Sequence, residues 1–150
     1  MRLLIQRVRT ASVEVNDSCV GQIGQGLLLF VGVEANDTAE DLHWSAGKTV
    51  RLRVFPDENG AMNRSVQDVG GELLVVSQFT LYASTKKGNR PSFIRAAPPD
   101  RAQHRFDEFC TLLSDQMNGA VQRGIFGAQM LVRLVNDGPV TIWIDSKQRE

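Results

Sequence analysis

Cysteine is scarce in this sequence of 150 residues, which contains only Cys19 and Cys110. Two cysteines do not make a disulfide framework, and neither lies in a C-x-x-C pair that would bind zinc or carry redox chemistry. We therefore predict a protein of a reducing compartment, the cytoplasm. A chain of this length can bury a core without disulfide or metal staples. No Pro- or Ser-rich linker interrupts it, so we predict one domain over residues 1–150.

Long apolar runs are missing as well. No stretch approaches the ~20 residues that a membrane helix requires. The first ten residues, MRLLIQRVRT, lack the apolar centre and the small-residue cleavage site of a signal peptide. We therefore expect no membrane partner.

The familiar catalytic motifs are absent. His43 and His104 each fall in a predicted helix, where a surface position is the simplest expectation. No H-E-x-x-H, G-x-S-x-G or Walker A motif is present, which argues against a zinc protease, a serine esterase elbow and a P-loop enzyme. The glycines between Gly21 and Gly26 follow no βαβ start and indicate a hairpin. We expect no metal and no cofactor.

Net charge is also absent, because 17 basic residues balance 17 acidic residues. A strong non-specific polyanion binder needs a large basic excess, so no DNA partner is expected. The segment 84–105 departs from this balance, since Asp100 is its single acid. It is either a solvated loop and helix face or a surface for the phosphates of an RNA end. Its six cations are Lys86, Lys87, Arg90, Arg95, Arg101 and Arg105.

Apolar patterns predict most of the strands. Segments 3–8 and 12–15 alternate, and a turn at 16–17 precedes a strand at 19–23. The run Leu27–Val33 is apolar throughout and bounded by glycines, which predicts a strand buried on both faces. Further strands are predicted at 73–81, 121–123, 130–135 and 140–144.

Two helices complete the predicted fold. Asp37 precedes Glu40 by three residues, the spacing of a capping box, and an apolar stripe follows. A second helix begins near Asp100. This order of elements predicts an α/β fold, a mixed-sheet β/β/α three-layer sandwich of barrel-like character with the two main helices on one side. The stripe of the second helix consists of Phe106, Phe109, Leu113 and Met117.

One short stretch places polar side chains in apolar surroundings. Ser77, Gln78 and Thr80 lie in the run 73–81, which is otherwise apolar enough to be buried. Buried hydroxyls and amides cost free energy unless they have partners. These side chains therefore either bond to nearby backbone or line a cavity. Unless the strand ends or bulges, Ser77 and Phe79 face one side and Gln78 and Thr80 the other.

A second stretch, 136–139, reads Asn-Asp-Gly-Pro between two apolar runs. This pattern predicts a turn. Gly138 can adopt backbone angles closed to other residues. Pro139 permits a cis peptide bond, and the residue pattern alone leaves cis and trans open.

Together these stretches resemble the D-aminoacyl-tRNA deacylase family. The motifs that carry the likeness are S-Q-F-T-L at 77–81, N-D-G-P-V-T at 136–141, K-G-N-R-P-S-F at 87–93 and F-G-A-Q-M at 126–130. The likeness extends from Met1 to Asp145 and includes V-G-G-E-L-L-V-V at 69–76. Any one of these peptides could occur by chance, whereas the whole set in the family's order is highly specific.

The resemblance implies a homodimeric hydrolase with its active sites at the subunit interface. Its partner would be tRNA, and it would cleave the ester at the aminoacylated 3′ end when the amino acid is of the D form. The resemblance implies that the Gly138–Pro139 peptide is cis and enters the partner's pocket, where its two carbonyls exclude an L side chain. Glycine has no side chain to exclude, so we expect glycyl-tRNA to be cleaved as well. Arg7 matches the residue that braces those carbonyls.

The same resemblance makes the S-Q-F-T-L stretch the pocket floor. Thr80 holds the family's proposed nucleophile position, but the sequence shows no base for it. We expect instead that the substrate's own 2′-OH orients or activates water while N–H groups near Phe79 and Thr80 stabilise the oxyanion. Gly138 and Pro139 join these two residues as the expected catalytic group. The expected substrate-binding residues are Arg7, Ser77, Gln78, Phe126, Met130 and Asn136, with Lys86, Lys87 and Arg90 on acceptor-stem phosphates.

Other interpretations fit part of this pattern. The alternative interpretation of Phe79, Phe126 and Met130 is that they are core residues, and for Met130 the two interpretations are nearly balanced. A non-catalytic module that binds RNA ends would use the same pocket. A small-molecule esterase would use Ser77 or Thr80 as nucleophile and would lose all activity in Thr80→Ala. A purely structural dimer leaves the polar groups of 73–81 unexplained.

Overall fold

One long strand, β1 (Arg2–Val15), organises the sheet. The computed structural model describes residues 1–149. The first half of β1 pairs with β3 (Gly26–Gly32) and its second half with β2 (Ser18–Ile23), both antiparallel. Along the other edge of β1 runs the antiparallel strand β8 (Leu131–Asp145).

The remaining strands extend the sheet beyond β3. Strand β6 (Glu72–Ser77) is parallel to β3, and β7 (Val121–Arg123) is parallel to β6. The order is therefore β2-β1-β3-β6-β7, with β8 on β1. Two short strands, β4 (Phe55–Pro56) and β5 (Met62–Arg64), form a separate hairpin.

The sheet curls until β2 approaches β7. A β-carbon on Gly21 would lie 3.1 Å from Cδ1 of Leu74 and 3.2 Å from the carbonyl oxygen of Arg123. A larger side chain at this position would push the two ends of the sheet apart. The curl makes the sheet nearly closed and confirms the predicted mixed α/β fold with barrel-like character.

Both helices cover one face of this sheet. Helix α1 (Ala39–Arg51) and helix α2 (Pro99–Gln116) share a core with β1, β3 and β6. A second apolar cluster fills the inside of the curl. Strand β3 is therefore buried on both faces, as its continuous apolar run predicts. No helix of residues 1–149 has both the length and the apolar character to cross a membrane.

Helix α1 begins at a different capping box from the predicted one. Thr38 is the N-cap, and its hydroxyl accepts a hydrogen bond from the Asp41 N–H at 3.4 Å. The Asp41 carboxylate in turn accepts from the Thr38 N–H at 2.8 Å. Asp37 instead binds the buried amino group of Met1. The predicted pair of Asp37 and Glu40 was one residue off because both pairs have the same spacing.

Four of the predicted strands join two by two into continuous strands. Segments 3–8 and 12–15 both belong to β1, and 130–135 and 140–144 both belong to β8. The predicted turn at 136–139 is therefore wrong. The chain continues in the same direction there, but its register with β1 shifts on either side of Val8. Such an irregularity bends a strand without reversing it.

Candidate active site

The strand predicted over 73–81 ends early and turns into a short helix. Strand β6 stops at Ser77, and Phe79–Tyr82 form one turn of 3-10 helix, which we call the 3-10 turn. The alternation of side chains assumed for Phe79 and Thr80 therefore fails. The 3-10 turn leaves the Phe79 side chain 58% exposed.

Beside the 3-10 turn lies a cleft of about 740 Å³. Its walls come from the ends of β3 and β6, the loop 93–98, the beginning of α2 and the segment 126–132. Five of the predicted site residues line it: Ser77, Gln78, Phe79, Phe126 and Met130. Cavities of this size hold small ligands or the end of a larger one.

Two pairs of aromatic rings shape the cleft. The Phe79 and Phe93 rings meet edge to face, with their centroids 5.0 Å apart. The Phe106 and Phe126 rings are 6.0 Å apart. Such walls suit a flat apolar group such as a nucleobase.

Sequence reasoning missed several lining residues. Phe93 and Ile94 belong to the loop, and Ala102, Phe106 and Val132 also line the cleft. Phe93 could have been found, because it is the one aromatic side chain of a polar loop. Phe106 gave no such signal, since it is also part of the buried stripe of α2.

The cleft offers no acid or base. Within residues 1–149, no residue that lines it has an ionisable side chain. His43 is exposed on α1, where its Nδ1 lies 2.8 Å from the Ala39 carbonyl oxygen, and His104 is exposed on α2. The side-chain polar groups of the cleft are the Ser77 hydroxyl and the Gln78 amide. The described residues of this chain that line the cleft therefore supply no side chain for proton transfer.

Thr80 lies in the 3-10 turn but does not line the cleft. Its side chain is exposed, and the Gln78 amide donates a hydrogen bond to its hydroxyl oxygen. Residues at the beginning of a helix have no carbonyl of that helix for their N–H groups. Between residues 1 and 149, neither the Phe79 nor the Thr80 N–H donates a hydrogen bond to another residue.

The predicted residues of β8 form a second cluster with Arg7. The Gly138–Pro139 peptide bond is cis, and both residues are exposed. Arg7 is buried beneath them, and its Nε lies 3.3 Å from the Asp137 carbonyl oxygen and 3.2 Å from its carboxylate. A β-carbon on Gly138 would lie 2.9 Å from Nη2 of Arg7. Arg7 also donates to the Val54 carbonyl.

Asn136 is bonded to the backbone on both sides of this cluster. Its amide nitrogen donates to the Arg7 carbonyl at 2.9 Å and to the Val140 carbonyl at 3.0 Å. These bonds satisfy carbonyl groups where the register of β1 and β8 shifts. Neither Asn136, Gly138 nor Pro139 lines the cleft of its own chain.

The cationic segment separates into two groups. Arg95 forms an ion pair with Glu34 at 2.8 Å. Arg105 forms one with Glu108 at 2.7 Å. Lys86, Lys87 and Arg90 are exposed in the loop after the 3-10 turn, and Arg101 is exposed on α2. Ser84 and Ser92 close this loop with two backbone hydrogen bonds of 2.8 Å and 2.9 Å. We call residues 84–92 the basic loop.

The outer surface of β8 exposes three large apolar side chains, interspersed with exposed Arg133 and Thr141. Leu131 is 56% exposed, Val135 53% and Trp143 49%. Within the part of the chain that the structure describes, β8 pairs with β1 alone, so its other edge has no strand beside it. An exposed apolar strand at a sheet edge favours association with another chain.

The described part of the chain holds no candidate metal site. Among residues 1–149, no three or more His, Cys, Asp or Glu side chains come together where they could hold a metal ion.

Known proteins resemble this chain over all or nearly all of its length. The family model described as D-Tyr-tRNA(Tyr) deacylase matches residues 4–145. The D-aminoacyl-tRNA deacylase of Dechloromonas aromatica is 59% identical over 150 residues, and that of Azobacteroides pseudotrichonymphae is 55% identical, with both chains covered in full. A solved structure titled c-Myc DNA Unwinding Element Binding Protein has a TM-score of 0.92 at 39% identity, covering 97% of this chain and 98% of that one.

Proposed function

The chain belongs to the D-Tyr-tRNA(Tyr) deacylase family, and from this premise we propose that it removes D-amino acids and glycine from the 3′ end of mischarged tRNA. As a member of this family the protein is a hydrolase that acts on aminoacyl-tRNA. We further propose which aminoacyl groups it removes, how it rejects L-aminoacyl groups and which group activates the attacking water.

The observation that carries the proposal is the cleft beside the 3-10 turn. Aromatic walls from Phe79, Phe93 and Phe126 suit the terminal adenine. The free N–H groups of Phe79 and Thr80 suit an ester carbonyl that becomes an oxyanion. Preorganised donors of this kind are worth about 100-fold to 1,000-fold in kcat.

In this proposal the RNA substrate, and not the protein, supplies the group that orients or activates the attacking water. No ionisable side chain lines the cleft, and the Thr80 hydroxyl has an amide rather than a base as its partner. The ribose 2′-OH beside the ester can orient or activate the attacking water. A substrate that supplies its own proton acceptor needs no base from the protein.

In this proposal the backbone of Gly138 and Pro139 from a second copy of the chain discriminates between D- and L-aminoacyl groups. Both residues are exposed and lie outside their own cleft. Carbonyl oxygens held against the α-carbon would clash with an L side chain, whereas a D side chain or hydrogen points elsewhere. Each tenfold of discrimination needs only about 1.4 kcal/mol. Buried Arg7 supports the segment from below through Asp137.

A homodimer is required by this arrangement, and the outer surface of β8 supports it. Val135 lies on that surface, close in sequence to Gly138. We expect Val135→Lys to give a monomer in sedimentation equilibrium and to lose deacylation. Met62→Lys replaces a similarly exposed apolar residue, 55% exposed on β5, and should remain dimeric. A fully active Val135→Lys monomer would overturn the shared site.

The basic loop is proposed to contact acceptor-stem phosphates through Lys86, Lys87 and Arg90. The formal net charge of 0 favours contact with the end of a nucleic acid over coating of a duplex. We further propose a single domain over residues 1–150 and a cytoplasmic location, for which the two free cysteines, Cys19 and Cys110, give support.

The decisive experiment compares D-, L- and glycyl-tRNA as substrates for the purified protein. We expect rapid release from the D- and glycyl forms and none above background from the L form. Equal rates for the D and L forms would overturn rejection by exclusion. Binding without turnover would favour an RNA-end-binding module, and rapid cleavage of simple D-amino acid esters would favour an esterase.

A further inference from the structure

A single guanidinium group joins the 3-10 turn to the two longest strands. Arg2, half-buried at the beginning of β1, donates from Nη1 to the Leu81 carbonyl at 3.0 Å. Its Nε donates to the Asp145 carboxylate, at the end of β8, at 2.9 Å. The planar fork of arginine can serve both acceptors at once, whereas a lysine ammonium has no such fixed geometry.

Arg2 also packs on the ring at the end of the 3-10 turn. Its guanidinium carbon lies 4.5 Å from the centroid of Tyr82, which is only 2% exposed. The Arg95 guanidinium is 5.6 Å from the same centroid and donates twice to Glu34, at 2.9 Å and 2.8 Å. Two cations, each held by its own carboxylate, therefore contact the Tyr82 ring.

The 3-10 turn also packs closely against strand β3. A β-carbon on Gly32 would lie 3.1 Å from the Gln78 carbonyl oxygen, from Cβ of Leu81 and from the Tyr82 ring. The 3-10 turn thus lies directly on the backbone of β3, and its far end is held by Arg2. Displacement at that end would be transmitted to Phe79 and Thr80, which begin the same turn.

We propose that Arg2 is a positioning residue for hydrolysis. It does not line the cleft, and it acts through the Leu81 carbonyl and the Tyr82 ring to set the direction of the Phe79 and Thr80 N–H groups. The inference rests on the proposed function, in which those N–H groups bind the oxyanion. A misplacement of about 1 Å at a reacting centre can cost about 100-fold in rate.

The test is Arg2→Lys, which keeps the charge and removes the fork. We expect kcat for D-aminoacyl-tRNA to fall by about tenfold to 100-fold while KM changes by less than about twofold. Arg123→Lys is the matched control, because Arg123 is exposed, pairs with Asp107 and, within residues 1–149, forms no side-chain hydrogen bond or ion pair with the 3-10 turn. It should keep the wild-type kcat. Methylguanidine should restore part of the activity of Arg2→Ala and none of any loss in Arg123→Ala.

Two further measurements separate positioning from folding and from the proposed function. The folded fraction of each variant is measured by circular dichroism at the assay temperature, and a loss of kcat that matches the unfolded fraction would overturn the inference. The amide resonances of Phe79 and Thr80 should shift in Arg2→Lys and stay in place in Arg123→Lys. If the wild type released no D-amino acid, the proposed function would fail, while unmoved resonances would defeat the inference on its own.

Discussion

The side-chain amide of Gln78 donates a hydrogen bond to the hydroxyl oxygen of Thr80. An amide cannot remove the proton that a nucleophilic hydroxyl has to lose. This contact therefore supports a role for Thr80 in the shape of the 3-10 turn. A mechanism with Thr80 as nucleophile and one that uses the 2′-OH of the substrate can be distinguished by experiment.

We expect Thr80→Ala to keep substantial activity. Its kcat/KM for D-aminoacyl-tRNA should fall by less than about tenfold, since no nucleophile is lost. A substrate that ends in 2′-deoxyadenosine should lose about 100-fold or more, the usual contribution of a general base. Single-turnover rates measure both effects. An inactive Thr80→Ala, or a normal rate on the deoxy substrate, would favour a protein nucleophile.

Replacement of Lys86, Lys87 and Arg90 by Gln should weaken tRNA binding in a manner that depends on salt. Each lost phosphate contact should reduce the slope of log K against log salt by about 1. The preference for D over L substrates should remain, because the basic loop is not part of the cleft. Filter binding between low and moderate salt measures the slope. Gln at Lys48, Arg51 and Arg64 removes the same charge elsewhere, and an equal effect there would contradict a local phosphate site.

Tyr82→Phe should be neutral or stabilising. Within residues 1–149, the buried Tyr82 hydroxyl has no hydrogen-bond partner. Burial raises the pKa of this phenol, and the nearby carboxylates of Asp37, Glu34 and Asp145 raise it further. Removal of an unpaired buried hydroxyl should increase the free energy of unfolding by up to about 1 kcal/mol. Urea denaturation measures this change. Tyr82→Ala, which also removes the ring, should cost about 3–5 kcal/mol.

The two cysteines should differ in reactivity. Burial raises the pKa of Cys110 to about 11, although Arg123 opposes part of that rise. At pH 8, which is below this pKa, the thiol is protonated as well as inaccessible, so it should react with a thiol reagent only after unfolding. Exposed Cys19 should react at once. The expected count in native protein is one rapid thiol per chain, and it should vanish in Cys19→Ser.

The sequence predicts an element when the residues of that element themselves form an apolar run or stripe. The continuous run 27–33 became β3, and the stripe through Phe106 and Phe109 became α2. The early end of β6 could not be predicted in this way. The 3-10 turn there packs on Gly32, a residue of another strand, and no pattern within 77–82 reports that contact. Likewise the Asn136–Pro139 segment looks like a turn until β1 is placed beside it.

The candidate site was predicted in part. The S-Q-F-T-L and F-G-A-Q-M motifs contributed Ser77, Phe79 and Met130, which the fold brings to one cleft. The roles of these residues in hydrolysis stay predictions. No local pattern singles out Arg2, because its partners Leu81 and Asp145 are distant in sequence. Contacts of this kind become visible only in three dimensions.

A cleft free of charged side chains has a consequence for how this protein could be engineered. Many enzymes are destabilised by the desolvated acids and bases that their active sites require, so gains in thermal resistance often reduce turnover. Here the walls are mostly apolar side chains, and some of them, such as Ala102 and Phe106, belong to the core that holds the fold together. Variants selected for heat resistance alone should therefore retain their catalytic rate, as paired melting curves and turnover numbers would reveal.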